Sequence, residues 1–100
     1  MPKYQTWYGP SGGGAADSGA VPTRQQERDA ARRRRELAER VRALRQEKGW
    51  TQEQLAYRAG FDRKSVNRIE NAAYSPSADR LFVLADALGV AVSDLVAGIA

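Results

Sequence analysis

The sequence predicts an all-α fold of five helices joined by short links. Three observations carry that prediction. From Leu37 to Leu88 apolar residues recur at spacings of three and four, and no strand pattern competes. Thr51, Asp62 and Ser77 stand where helices would begin, each with a side-chain oxygen able to accept from a free backbone N–H. Gly49, Gly60 and Gly89 stand where helices would end.

The first helix is expected from about Gln25 to Lys48, with Thr23 and Gln26 able to form a capping box before it. Leu37, Val41 and Leu44 are its core face. Before Leu37 the apolar stripe fails, and Arg32-Arg33-Arg34-Arg35 reads as a projecting basic extension of the helix. Acids are interspersed, so pairs such as Glu36 with Arg40 can form at i,i+4. Thr51 caps the second helix, with Gln54 three residues on, and Leu55 and Ala56 face inward. Ala56 is small enough to let the second and third helices approach closely, so a large side chain there would overpack the site.

Asp62 caps the third helix, Arg63 to about Asn71, whose buried edge is Val66 and Ile69. A loop over residues 72–76 ends in Ser75-Pro76. Ser77 caps the fourth helix, with Leu81, Leu84, Ala85 and Leu88 as its stripe, and Phe82 and Val83 expected to fill neighbouring gaps. Ser93 is expected to cap a last short helix carrying Leu95 and Val96. Three regions result: a Gly-, Ser- and aromatic-containing tail at 1–23, a basic extension at 24–36, and the main domain at 37–100. Gly9-Pro10-Ser11-Gly12-Gly13-Gly14 predicts disorder in the tail, whose Tyr4, Trp7 and Tyr8 are either a docking element or incidental.

Charge is placed unevenly. Residues 1–23 sum to zero; residues 24–48 hold ten Arg and Lys against five Asp and Glu, giving +5; residues 49–100 hold five against six, giving −1. A basic segment of this kind favours a polyanion through counterion release. The alternative for any one arginine is a solvated helix surface. With no cysteine and no histidine, disulfides, thiolate zinc sites, thiol nucleophiles and histidine acid–base chemistry are excluded. No metal site, cofactor or enzymatic activity is expected. No run approaches a membrane span, and no apolar signal segment opens the sequence, so a cytoplasmic protein is the default.

The stretch from Leu44 to Val96 resembles the phage-repressor-like (Cro/cI, XRE-type) helix-turn-helix family. The matching residues are Leu44-Arg45, Gly49-Trp50-Thr51-Gln52, Leu55-Ala56, Gly60, Val66, Ile69-Glu70-Asn71, Pro76-Ser77, Leu81, Leu84-Ala85, and Ala87-Leu88-Gly89-Val90. The resemblance implies a five-helix DNA-binding domain that acts as a homodimer on a near-palindromic site. It makes the third helix the recognition helix, with Arg63, Lys64, Asn67 and Arg68 facing the groove. It implies that Gln52 clamps the DNA backbone, that Asn71 contacts phosphate, and that Arg45 and Glu70 form a partly buried ion pair.

One departure stands out. Many family members have Gly after the asparagine and a basic residue beyond it, where this chain has Ala72 and Ala73. Tyr74 can offer a hydroxyl contact to phosphate instead, and the arginine-rich first helix, including Arg33 and Arg34, is expected to make up the missing charge. Thr51, at the positive start of its helix, is a further expected phosphate neighbour.

Leu95, Val96 and Ile99 are the expected dimer face; their alternative is ordinary packing against the first and fourth helices. The leading functional reading is a sequence-specific double-stranded DNA-binding transcriptional regulator, a repressor. The alternatives are an antitoxin that binds a toxin and its own operator, and a protein-interaction module on the same fold.

Overall fold

The computed structural model describes residues 21–100, so the tail prediction and Tyr4, Trp7 and Tyr8 lie outside the described residues. The five helices are α1 (Arg24–Glu47), α2 (Gln52–Ala59), α3 (Arg63–Glu70), α4 (Ala78–Leu88) and α5 (Val92–Val96). No strand occurs among the described residues. There, too, no helix is long and apolar enough to cross a membrane.

Local chemistry sets the helix starts. Thr23 accepts from the Gln26 amide at 3.0 Å while the Gln26 carboxamide oxygen accepts from the Thr23 amide at 2.8 Å. The same reciprocal box joins Thr51 and Gln54. Asp62 accepts from the Ser65 amide at 2.8 Å, and Ser77 from the Arg80 amide at 3.2 Å. The fifth helix starts two residues earlier than expected. Its cap position is Ala91, and Ser93 lies inside it. Alanine has no side-chain acceptor, so Asp94 reaches back and its carboxylate accepts from the Ala91 amide at 2.9 Å.

The first four helices end alike. A residue in the left-handed region follows each, and the amide after it bonds the carbonyl five residues back: Trp50 to Arg45, Phe61 to Ala56, Ala73 to Arg68 and Val90 to Ala85. Three of these left-handed residues are glycine, and the fourth is Ala72, at φ 57°. A Cβ is disfavoured there by roughly 1–2 kcal/mol. The substitution noted in the sequence therefore leaves the turn in place and strains it.

Val41, Leu55, Ala56, Val66, Ile69, Leu84, Ala85, Leu88 and Leu95 form one buried cluster. α2 packs on α3 and α4, α3 and α5 pack on α1, and α5 also packs on α4. Burying a Leu, Ile or Val side chain contributes about 1.5–3 kcal/mol, so this shared cluster fixes how α3 is presented. On α1, Val41 is buried and Leu37 and Leu44 pack partly against the cluster, with Ala38 buried beside them.

Two expectations about apolar residues are corrected. Phe82 and Val83 do not fill gaps: they are 59% and 39% exposed, on the side of α4 opposite its stripe. Leu95 is fully buried, so it belongs to the core and cannot form a dimer face.

The extension is neither separate nor wholly projecting. α1 runs unbroken through residue 36. Arg32 and Arg33 donate to the Ala100 carbonyl at 3.1 and 2.8 Å. Arg40 donates to the carbonyls of Asp94 at 2.6 Å and Ala97 at 2.8 Å. A cation at the end of α5 satisfies carbonyls that the helix itself leaves open.

Candidate nucleic-acid interface

α3 has two chemically opposite sides. Val66, Ile69 and Glu70 are buried. Arg63, Lys64 and Arg68 are exposed, and none pairs with a carboxylate among the described residues. The Asp62 carboxyl that caps the helix is held below its ordinary value, first by its hydrogen bonds with Ser65. The Arg68 guanidinium lies 5.5 Å from the centroid of the Tyr74 ring, so the half-buried Tyr74 steadies Arg68 from the following loop.

Behind α3 sits a buried charge. The Glu70 side chain is fully buried and meets Arg45 in a two-pronged pair, Nε to Oε2 at 2.6 Å and Nη2 to Oε1 at 2.9 Å. Arg45 also donates to the Trp50 carbonyl at 2.6 Å, which ties α1 to the entrance of α2. Its guanidinium is held above its ordinary value, chiefly by the hydrogen bond to Glu70. Arg42 donates to the Glu70 carbonyl at 2.6 Å. This joint sets the angle between α1, α2 and α3.

The joint also fixes a row of amides. An ionised carboxylate can only accept, so the atom Gln52 turns to Glu70 must be its nitrogen, and Nε2 lies 3.2 Å from Oε1. That leaves the Gln52 oxygen to accept from Asn67 Nδ2 at 3.2 Å. The Asn67 oxygen in turn accepts from Asn71 Nδ2 at 3.1 Å. Gln52, Asn67 and Asn71 are thus polarised in one direction from a buried anion. Asn67 is half-buried within this row, unlike the exposed Arg63, Lys64 and Arg68.

Thr51 is exposed at the head of α2. Arg33 and Arg34 line a depression with Leu37, Ser75, Val96 and Ile99, and Arg33 is engaged by the Ala100 carbonyl. Arg35 instead lines a second depression, with Arg42, Asn71 and Ala72. The sequence reading names Arg35 only within the basic extension, passes over Arg42, and expects Arg40 to pair with Glu36, whereas Glu36 pairs with Arg32 at 2.8 Å and Arg40 meets the carbonyls near the end of α5. The signals available were the seven-residue spacing of Arg35 and Arg42 and the position of Arg42 one turn before Arg45. It also missed the stacking of Arg58 on Trp50, 4.3 Å from the ring centroid. No group of three His, Cys, Asp or Glu among the described residues is placed to hold a metal ion.

The family pattern described as Helix-turn-helix matches residues 41–95, from the middle of α1 to α5. The chain belongs to the helix-turn-helix family, of XRE or phage-repressor type. It is 40% identical over 60 residues to an immunity repressor protein of Bacillus phage phi105, covering 60% of this chain and 42% of that protein. It is 42% identical over 53 residues to an uncharacterised HTH-type transcriptional regulator of Sinorhizobium fredii, covering 53% of this chain and 69% of the relative. The chain therefore spans less than half the length of the phage repressor.

Among solved structures it is similar to a hypothetical transcription factor from Neisseria, with TM-score 0.62 and 38% identity over 64% of this chain and 74% of that one. It is also similar to a restriction-modification controller protein from Aeromonas hydrophila, with TM-score 0.61 and 34% identity over 62% and 94%.

Proposed function

We propose that this protein is a sequence-specific double-stranded DNA-binding transcriptional regulator that represses as a homodimer. The observation that carries the reading is the exposed side of α3, where Arg63, Lys64 and Arg68 have no carboxylate partner on a helix held rigidly from behind. A helix of this chemistry fits the major groove, where an arginine can hold guanine through O6 and N7. Family membership and relatives named as repressor and transcriptional regulator support it.

The residues divide by task. Arg63, Lys64 and Arg68 read bases. Thr51, Gln52, Asn71 and Tyr74 lie on the flanks and meet phosphates. Asn67, tied between Gln52 and Asn71, positions those two side chains and makes no base contact of its own. One domain covers a short half-site, and two copies set about one helical turn apart supply useful specificity. Val96, 39% exposed, and the half-buried Ile99 are the residues of the expected dimer face that remain available.

Selection of binding sites from random duplexes tests the reading. Enrichment of one motif with two-fold related halves is the expected result, and failure to enrich any motif would overturn it. A small toxin-like reading frame beside the gene would favour the antitoxin alternative.

A further inference from the structure

The depression between α1 and the end of α3 is lined by Arg35, Ala38, Glu39, Arg42, Asn71 and Ala72. Arg35 and Arg42 are seven residues apart, two turns along one face of α1. Arg42 is held in place, with Nη2 donating to the Glu70 carbonyl at 2.6 Å and Nε 3.8 Å from Glu70 Oε1, yet its side chain is 43% exposed. A guanidinium has five N–H donors, and beyond the bond to the Glu70 carbonyl those of Arg42 make no hydrogen bond among the described residues. Arg35 is exposed and has no ion-pair or hydrogen-bond partner there either.

Glu39 is the one acid lining the depression besides the buried Glu70, and it pairs with neither arginine. Two arginines against Glu39 leave the exposed part of the depression net positive. Asn71 commits one amide hydrogen to Asn67 and keeps the other.

We infer that Arg35, Arg42 and the Asn71 amide form a binding site for one phosphodiester of the DNA backbone, on the α1 flank of the reading helix. The inference rests on the DNA-binding reading above. It moves the phosphate role expected of Arg33 and Arg34 to the arginines that adjoin Asn71. It also supplies, from a different helix, the positive charge that Ala72 and Ala73 leave out after Asn71.

The test is the salt dependence of duplex binding by the full chain, on a selected duplex and on a scrambled one. Arg35→Ala is expected to reduce the slope of log affinity against log salt by about 0.9 and to weaken binding roughly tenfold near 0.1 M salt. The two duplexes should be affected by the same factor, and Arg35→Lys should restore the slope. Arg42→Ala should behave alike. If its melting temperature falls, Arg35→Ala decides the matter, because Arg35 makes no internal bond among the described residues. Arg28→Ala, exposed and outside the depression, is the control and should leave the slope unchanged.

An Arg35→Ala slope equal to that of the wild type, or a changed ranking of the two duplexes, would overturn the inference. A wild-type chain with no salt-dependent affinity for any duplex would overturn the DNA reading, and this site with it.

Discussion

α1 and α3 are both rich in cations, and they use them in opposite ways. On α1, Arg40 binds carbonyls near the end of α5, Arg45 binds Glu70 and Trp50, and Arg32 and Arg33 bind Ala100. On α3, Arg63, Lys64 and Arg68 meet no carboxylate among the described residues. The net charge of +5 on residues 24–48 therefore overstates what a polyanion can reach, while the −1 on residues 49–100 hides three free cations on one exposed side. Arginine's part is set by what lies opposite it. Where carbonyls or a buried carboxylate face it, it fastens; where solvent faces it, it is available for recognition.

The largest predicted effect breaks the fastened side. Glu70→Ala leaves Arg45, whose side chain is 12% exposed, beside an uncompensated cavity. It should cost about 3–5 kcal/mol of stability, read from urea unfolding, and should weaken binding to all duplexes alike. Arg40→Met removes the donor shared by the Asp94 and Ala97 carbonyls. Water can reach these groups, so the expected loss is about 1 kcal/mol, with faster amide exchange confined to α5.

Ala72→Gly relieves a left-handed alanine at φ 57° and should raise stability by roughly 0.5–1 kcal/mol, seen as a higher denaturation midpoint. The smallest effect concerns acid. Asp62 has a folded value below its ordinary 3.8, so the cap's contribution is complete above that pH and is lost as pH falls through the folded value. Asp62→Asn keeps an acceptor and should remove this acid-dependent part of α3 helicity, as followed by NMR.

The parts legible in the sequence were those whose causes are local. Thr51 with Gln54, and Asp62 before Ser65, announce helix starts because cap and amide are three residues apart. The period of three and four finds Leu55, Val66, Ile69, Leu84 and Leu88, which the cluster buries. Asp94 replaced Ser93 as the group that closes the start of α5 because a carboxylate at the third helical position reaches back as well as a hydroxyl at the cap.

The fastening arginines were not legible. Arg42 meets a carbonyl 28 residues away and Arg40 meets carbonyls 54 and 57 residues away. Every residue has a carbonyl, so no residue type marks the partner. The pairing of Arg45 with Glu70 came from family resemblance and not from spacing. The direction of the Gln52–Asn67–Asn71 row needs the position of the buried carboxylate, which only the packed helices supply.

The most direct test of the division between α1 and α3 is a ratio: affinity for the selected duplex over affinity for a scrambled one, at a single salt concentration. One arginine reading a base contributes about 1–3 kcal/mol of discrimination. Arg68→Ala should therefore lower the ratio roughly five- to 150-fold, while the paired variant Arg35→Ala with Arg42→Ala should weaken both affinities and leave the ratio unchanged. An unchanged ratio in Arg68→Ala, or an equal fall in both proteins, would contradict the account.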